Sequence, residues 1–566
     1  MNQLNKGKIT EKILYLISQH SYLFLLGICL LMTPFCFGAV EYIPKYAPYI
    51  EAFIVFAAAL LFGVYRYRCG KIDMLRLGIF LFGAASADIA AMLLYLQSSN
   101  KALWHFVGGC ASVILMYKLA DVRKFRTKVN SFLIIGLGFC LKFYYVLITS
   151  VGTRQHDVSF FGDEAGHAGY IEYLLFNHKL PDFDVRDRWQ FCHPPLHHAI
   201  SAACIFLNEN ILGFGHDQAR ESLQMLTLFY SGCIIISAYR ILRHFALEDE
   251  ALYIPLMIVS FHPAFILFSG SINNDVLSAA LVMGAVICTL KWYKCPTLKN
   301  ILKIALCIGL AMMTKVAAAT VAPPVALVFL IVFIKRFKTD RKKLFGQFCC
   351  FGAICVPLAL WFGIRNYIKW KVPLTYVAKL ETNNPQYIGD IPFLKRMTDF
   401  SPFQFASPYE QWDFDGGDGY FEYNPLITLL KNSLFGESIN EEVMLDLSYL
   451  HIISIAFLWL NVVIAGYALF VMIKMCVKKC SAEPTEKIFL VGFYVFMMAV
   501  FIKNSATYPF TCTMNYRYIT PTAIIGTVFI GLSLKYSPEK KFMRTVLSVL
   551  AALFTAASTI IYLALK

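Results

Sequence analysis

The feature that most constrains this chain is a succession of apolar stretches, each close to the length that crosses a lipid bilayer. A hydrocarbon core of ~30 Å needs about 20 apolar residues per helix, and a segment in lipid must satisfy its own backbone hydrogen bonds. The pattern therefore predicts an all-α polytopic integral membrane protein with about 15 transmembrane helices. The stretches begin near Ser21, Tyr49, Leu77, Leu103, Ser131, Leu223, Leu252, Val276, Ile301, Ala317, Leu344, His451, Ile488, Tyr518 and Thr545.

The composition excludes most soluble classes of protein. Of the 566 residues, 58% are hydrophobic and only 15% are charged, against roughly 25% charged residues in a soluble domain. A water-soluble enzyme, a disordered scaffold and a nucleic-acid-binding module are therefore poor interpretations. The net charge of +15 is explained by where the basic residues lie. They are concentrated in alternate loops, as the positive-inside rule requires when the N-terminus is cytoplasmic.

The loops divide the chain into four parts. The apolar segment 196–207 is too short to span, and a span there would turn the later basic loops outward, so a juxtamembrane helix is expected on the outer surface. The first apolar run is interpreted as a retained span, not a cleaved signal. The parts are an N-terminal four-helix membrane module (1–130), a membrane core (131–364) with a first outer loop (152–222), a large outer loop (365–450) and C-terminal transmembrane helices (451–566).

The first outer loop carries an acidic pair where a span leaves the bilayer. Asp163 and Glu164 precede a helical pattern that contains Tyr170, and His167 follows Asp163 by four residues, so both fall on one helix face. A carboxylate at this boundary can take the proton of an acceptor hydroxyl, which is general-base chemistry. The alternative is that the pair is a charged helix cap, and both interpretations stay open on the residues alone.

A family resemblance rests on the order of motifs in this loop. The run FFGDEAGHAGYIEYLL is followed by Leu-Pro at 180–181, Trp189 and Pro-Pro-Leu at 194–196. This order resembles the first extracytoplasmic loop of GT-C glycosyltransferases, in the branch of the protein O-mannosyltransferases and lipid A aminoarabinose transferases. The resemblance implies a GT-C-like catalytic core at 131–364, a polyprenyl-phosphate sugar as donor, and Asp163 as the catalytic base with Glu164 beside it.

Five further elements follow in the order that the family has them. Each is weak alone, but together they cover roughly 131–534 and fall on one side of the membrane by charge counting. They are Ser-Ile-Asn-Asn-Asp at 271–275, Gly-Leu-Ala-Met-Met-Thr-Lys at 309–315, Trp-Phe-Gly-Ile-Arg-Asn-Tyr at 361–367 with Pro-Leu at 373–374, Ser-Leu-Phe-Gly at 433–436, and Tyr-Arg-Tyr at 516–518 with Pro521.

Three cations lie at outer helix ends. Lys315, Arg365 and Arg517 are expected to hold the departing phosphate, because cations there stabilise developing negative charge. The alternative is that their side chains reach to the interface without function. Asn274 and Asp275 have three open interpretations. They supply a second carboxylate near the site, they bind a metal ion, or they form an ordinary turn and helix cap.

Six of the twelve histidines lie within about forty residues of this loop, from 156 to 198. No cofactor is certain, but a divalent cation held by Asp163 and His167 stays open, although no zinc spacing is present. His167 and His193 are otherwise expected to donate to phosphate or to orient Asp163, with Tyr170 supporting. A Gly-Asp segment at 413–419 is interpreted as a turn rather than a calcium loop. A disulfide between Cys192 and Cys512 is an alternative to two free thiols.

The resulting prediction is an inverting membrane glycosyltransferase. Its expected partners are a polyprenyl-phosphate sugar, an acceptor lipid, glycan or protein, and membrane lipids, without nucleic acid. The expected location is a bacterial inner membrane, with the site on the extracytoplasmic face. The alternatives are a transporter or lipid flippase, in which Asp88 and Lys142 couple transport, and a non-catalytic membrane subunit.

Overall fold

The computed structural model describes most of the chain after residue 125 and parts of the first 125 residues. Asp163, Glu164, Asp88 and the 413–419 segment lie outside the described residues. The described residues are 16–33, 47–68, 70, 81, 84–85, 101–119, 126–155, 157–159, 166–378, 380–410, 422–440, 448–536 and 541–565.

The described chain is helical throughout, as predicted, with 78% helix and no strand. An isolated antiparallel bridge joins Tyr387 and Phe510. The first helices are α1 (Ser21–Met32), α2 (Ala47–Arg68), α3 (Lys101–Leu119), α4 (Arg126–Ile148), α5 (His167–Asn177), α6 (Leu196–Asn210), α7 (His216–Glu221), α8 (Leu223–His244), α9 (Asp249–Ser260), α10 (Pro263–Gly270), α11 (Asp275–Lys294) and α12 (Leu298–Met312).

The later helices alternate with short 3-10 turns. They are α13 (Ala322–Lys335), α14 (Phe337–Trp370), α15 (Phe393–Thr398), α16 (Pro425–Phe435), α17 (Ser448–Val477), α18 (Pro484–Thr507), α19 (Pro521–Tyr536) and α20 (Lys541–Ala564). The 3-10 turns are Val316–Val321, Pro402–Phe405, Thr511–Met514 and Tyr516–Ile519.

Fourteen of the fifteen predicted stretches coincide with these helices, and the one near Leu77 lies almost wholly outside the described residues. By length and composition, eight described helices can cross a membrane, or ten if each of two bent pairs is one span. Others, such as the 15-residue α12, are too short to qualify alone. The predicted juxtamembrane segment forms α6, which is not among the candidate spans.

One hydrophobic cluster of buried side chains extends from Leu141 in α4 to Leu565 at the end of α20. Within it α12 packs against α11 and α14, while α9 and α17 pack against α19. Helices before and after the large loop therefore share one core. Large apolar side chains on α14 and α17 are instead exposed, including Phe345, Ile368, Ile452 and Ile473, as expected of helix faces that lipid covers.

Two bends bring distant backbone segments to one end of the bundle. The chain turns by 45° between α9 and α10 and by 48° between Thr511–Ile519 and α19. Proline begins the helix after each bend, since its missing N–H leaves no bond unmade in a first helical turn. The segments 271–275 and 515–520 consequently lie together.

The helix ends separate into the two groups that the charge pattern predicts. At one end Lys294 lies 2.5 Å (Nζ–Oε1) from Glu483, and His244 lies 2.7 Å (Nε2–Oε1) from Glu486. At the other end Lys315 contacts Asp275. The alternation of helix direction thus follows the predicted topology, while the group that faces the cytoplasm stays a prediction.

Candidate functional site

Four charged side chains form a cluster where α11 begins and α12 has just ended. Lys315 forms an ion pair with Asp275, and these side chains are 14% and 6% exposed. Arg517 lies 3.6 Å from Asp275 (Nε–Oδ2) and 3.6 Å from Asp157 (Nη2–Oδ2). Asp275 therefore compensates the two largely buried cations, and Asp157, whose side chain is 34% exposed, adds a negative charge at the solvent side.

Short polar contacts fix the backbone around this cluster. Asn273 Oδ1 accepts a hydrogen bond of 3.0 Å from the backbone N–H of Asp275, which is an Asx turn at the start of α11. Asn274 Nδ2 donates to the carbonyl oxygen of Thr314 at 3.0 Å. Asn274 thus connects the two segments that carry Asp275 and Lys315. This contact fits the turn and cap interpretation more closely than a direct chemical role.

Arg517 is held in the turn that precedes α19. The Asn515 side chain accepts from the backbone N–H of Arg517 at 2.8 Å, and its Nδ2 donates to the Glu437 carboxylate. Arg517 Nη2 donates to the Tyr518 hydroxyl at 2.9 Å. The Tyr518 ring also lies 4.9 Å from Lys315 Nζ and 5.0 Å from Arg517 Cζ, so one aromatic face helps to hold both cations.

Three histidine rings stack beside the charged cluster. The ring of His167 lies 5.5 Å from that of His193 and 5.3 Å from that of His198, with both pairs nearly parallel. His167 Nδ1 and His198 Nε2 are 3.0 Å apart and share a hydrogen bond. Burial, together with the nearby charge of Lys315, lowers the pKa of His193 to about 4. His193 is therefore a neutral imidazole at pH 7.

The stack continues to the third predicted cation. The Tyr170 ring lies 4.4 Å from His198, and burial raises the pKa of Tyr170 while the nearby charge of Arg365 opposes that rise. Arg365 Nη2 donates to the carbonyl oxygen of Pro181 at 2.5 Å. Lys315 and Arg517 thus share Asp275 as a partner, whereas Arg365 lies near Tyr170, at the far end of the aromatic stack.

The backbone on either side of the acidic pair closes at this site. Gly166 N–H donates to the carbonyl oxygen of Ser159 at 2.8 Å, and His167 N–H donates to that of Asp157 at 2.7 Å. A Cβ on Gly166 would lie 1.9 Å from the Asp157 carbonyl oxygen, so only glycine fits this crossing. The described residues that flank Asp163 and Glu164 therefore meet next to Arg517.

A cleft that is open to solvent lies on the other side of Arg517. It is formed by α10, the end of α16 and the turns around 271–275 and 515–520. Its polar lining includes Arg154, Asn273, Asn432, Glu437 and Thr520, and its apolar lining includes Leu267, Phe268 and Phe435.

The remaining predictions have mixed outcomes. Cys192 and Cys512 are free thiols, so the structure does not support a disulfide; the Cys512 N–H instead donates to the Gln386 side chain at 3.3 Å. Lys142 is buried in α4 and donates to the carbonyl oxygen of Ser260 at 2.5 Å. Asp88, the other coupling residue of the transporter alternative, lies outside the described residues, so that alternative stays a prediction.

The described part of the chain contains no group of three side chains suited to a metal ion. His167 is buried and shares a hydrogen bond with His198 through Nδ1. Because Asp163 lies outside the described residues, a divalent cation stays a prediction.

Sequence reasoning missed three residues that line the site, namely Asp157, Glu437 and Tyr518. Glu437 directly follows the Ser-Leu-Phe-Gly element and Tyr518 belongs to the Tyr-Arg-Tyr element, so each adjoins a recognised motif. Asp157 had no such signal, because only the fold brings it to Arg517.

Residues 193–361 match a protein family described as dolichyl-phosphate-mannose-protein mannosyltransferase. The matched segment includes Asp275 and Lys315, whereas Arg365 and Arg517 lie beyond it. No curated protein matched the chain significantly. The resemblance drawn from the sequence motifs is confirmed over this segment, and it indicates a membrane glycosyltransferase that uses a polyprenyl-phosphate sugar. The segment 193–361 is thus similar to a GT-C superfamily domain of this mannosyltransferase family and lies within a multi-pass membrane protein.

Proposed function

We propose that this protein transfers a sugar from a polyprenyl-phosphate donor to an acceptor hydroxyl on the extracytoplasmic face of the membrane, with inversion at the anomeric carbon. The observation that carries the proposal is the convergence of Arg517, Lys315 and Asp275 with the closed backbone crossing that flanks Asp163. These groups come from sequence positions far apart and meet at one end of the helix bundle.

Arg517 is the strongest candidate for the donor phosphate. Its Nε–H is buried and donates no hydrogen bond to the described residues, and unmet buried donors are uncommon in folded proteins. A guanidinium group forms charge-assisted, two-pronged bonds with phosphate oxygens. Arg517 Nε lies 3.6 Å from Asp275 Oδ2, so a bound phosphate would share this guanidinium group with the carboxylate.

Lys315 and Asp275 act as a pair in this proposal. The carboxylate orients the ammonium group beside Arg517, and together the cations offset charge on the leaving phosphate. Arg365 is assigned to the outer part of the same face, where it extends the positive surface. A bacterial inner membrane is the proposed location.

The reaction is a single displacement. Asp163 takes the proton of the acceptor hydroxyl, and the acceptor oxygen forms a bond to the anomeric carbon. The bond from that carbon to the phosphate oxygen breaks with its electron pair, and polyprenyl phosphate leaves. Glu164 is expected to support the charge of Asp163, and the neutral His193 to donate to a phosphate oxygen.

The direct test is Asp163→Asn, since an amide cannot accept the proton. We expect at least a hundredfold loss of sugar transfer from radiolabelled polyprenyl-phosphate mannose in membranes, with normal protein levels. The matched control is Asp187→Asn, an exposed carboxylate in the same loop, which is expected to retain transfer. Full transfer by Asp163→Asn, at wild-type expression, would remove Asp163 as the base.

A further inference from the structure

A second cleft lies between α17, α19 and α20, at the end of the bundle opposite Arg517, where α18 begins after Glu483. Its basic lining is Lys474, in the last turn of α17, and Arg544, in the first turn of α20. The rest of the lining is Tyr467, Phe470, Val471, Ser533, Leu534 and Met543.

The two cations of this cleft are less satisfied than a neighbouring lysine. Lys478 Nζ donates to the carbonyl oxygen of Tyr536 at 2.5 Å. Lys474, by contrast, forms no hydrogen bond or ion pair with the described residues. Arg544 Nη2 donates to the carbonyl oxygen of Leu534 at 3.3 Å, while its buried Nε has no partner among the described residues. Since buried donors nearly always have an acceptor, the cleft is suited to a ligand that supplies one.

The charge of the cleft selects an anion. Among the described residues that line it, none is acidic. At the same end of the bundle, Glu483 pairs with Lys294, and Glu486 pairs with His244. Two positive charges therefore face the cleft without a carboxylate in its described lining.

The surface beside the cleft is apolar and continues the lipid-facing side of α17. Phe470 lines the cleft, and Ile473 and Val477 follow it at the spacing of one helix face. Each of these side chains is more than half exposed, as is Phe542 at the start of α20. An anion in the cleft therefore lies against a surface suited to acyl chains, which favours a lipid over a soluble ion.

We propose that this cleft binds an anionic phospholipid, with its phosphate between Lys474 and Arg544 and its acyl chains along the exposed face of α17. Guanidinium and ammonium groups form charge-assisted bonds with phosphate oxygens, and basic pockets between transmembrane helices recognise anionic headgroups. In the predicted topology this end faces the cytoplasm, so the lipid belongs to the inner leaflet. The site is separate from the proposed sugar transfer, which takes place at the other end of the bundle.

The experiment compares two lipids that differ in headgroup charge. Delipidated, detergent-solubilised full-length protein is titrated with dioleoyl phosphatidylglycerol or with dioleoyl phosphatidylcholine, and native mass spectrometry measures the Kd of the first bound lipid. We expect phosphatidylglycerol to bind at least about tenfold more tightly, as two cations at an anionic headgroup predict. Glycerophosphoglycerol, the same headgroup without acyl chains, should not displace it at millimolar concentration.

Lys474→Gln is the sharpest variant, because it removes one cation and no hydrogen bond within the described residues. We expect the preference for phosphatidylglycerol to fall about fivefold, the effect of one basic residue at an anionic lipid surface, with an unchanged thermal unfolding temperature in the absence of lipid. Arg544→Gln should lower the preference at least as much. The matched control is Lys479→Gln, an exposed lysine at the same end but outside the cleft lining, and it should keep the preference.

Three results would overturn the lipid site. Equal binding of the two lipids by the wild type, or an undiminished preference in both Lys474→Gln and Arg544→Gln, would remove it. An equal fall in Lys479→Gln would show that Lys474 only reaches the interface and adds surface charge. Displacement of the lipid by glycerophosphoglycerol would assign the cleft to a soluble phosphate instead.

Discussion

The roles of Asp275 and Lys315 depend on the residues that they contact. Each had an ordinary explanation, as a helix cap and as a cation that reaches the interface. In the structure they form an ion pair that excludes most water, and Arg517 lies within 3.6 Å of the same carboxylate. Asp275 is therefore the anion that both cations share.

At this scale we predict that Asp275→Asn is destabilising. Removal of one partner from a buried pair leaves unbalanced charge, at a cost of about 3–5 kcal/mol, and the thermal unfolding temperature in detergent should fall. The double variant Asp275→Asn/Lys315→Met should recover part of this loss.

The exposed pair of Lys179 and Asp182 is the natural control, because both side chains are more than half exposed and such pairs contribute little. Asp182→Asn should therefore leave the unfolding temperature unchanged. An equally small effect of Asp275→Asn would show that the charge balance inferred for the cluster is wrong.

At the scale of elements, short helices and turns position the chemistry while long helices form the frame. The 45° bend before α10 and the 48° bend before α19 bring 271–275 and 515–520 together. The helices α5 and α6, which lie outside the candidate spans, supply His167 and His198 of the histidine stack, and the loop before α6 supplies His193. This stack couples the first outer loop to the charged cluster.

The stack predicts a dependence of stability on pH. Burial lowers the pKa values of His193 in the stack, and of His197, whose ring lies edge-on to that of His198, to about 4, from 6.5 when exposed. Between pH 6.5 and 4 the unfolded chain thus binds more protons than the folded chain, and the free energy of unfolding falls as pH falls. The loss is roughly 2 kcal/mol per histidine between pH 7 and 5.

Thermal unfolding at pH 7 and pH 5 measures this effect. His193→Gln should reduce the difference between the two pH values, whereas His178→Asn should not, since His178 is exposed and its left-handed backbone accepts asparagine. A pH difference that His193→Gln leaves intact would show that this histidine is not the titrating group.

On the scale of the whole molecule, the helix ends form two separate groups. One contains Lys294, Glu483 and Glu486, and the other contains Asp275, Lys315 and Arg517. Large apolar side chains remain exposed between them on α14 and α17. This arrangement is that of a membrane bundle with its polar chemistry at one surface.

The predicted topology is tested by accessibility. Asp187→Cys and Asp390→Cys should gain label from a membrane-impermeant maleimide in intact cells, whereas Lys338→Cys should gain it only after permeabilisation, because basic loops stay cytoplasmic. Because the wild-type protein has cysteines of its own, the label on each variant is compared with the label on the wild type. Labelling of positions 187 and 338 from the same side would contradict the topology and with it the proposed site.

The sequence by itself determined the fold class, because apolar runs of bilayer length leave the backbone no alternative to helices in lipid. It also predicted which helix ends lie together, since charge alternation records the direction of each span. Motif order pointed to Asp275, Lys315 and Arg517, but not to the contacts among them. In the structure Asp157 lies beside Arg517, Lys142 donates to a backbone carbonyl, and Cys192 and Cys512 are free thiols. Only the tertiary structure decided these partners, because bends and packing set which distant side chains meet, and no local pattern encodes that distance.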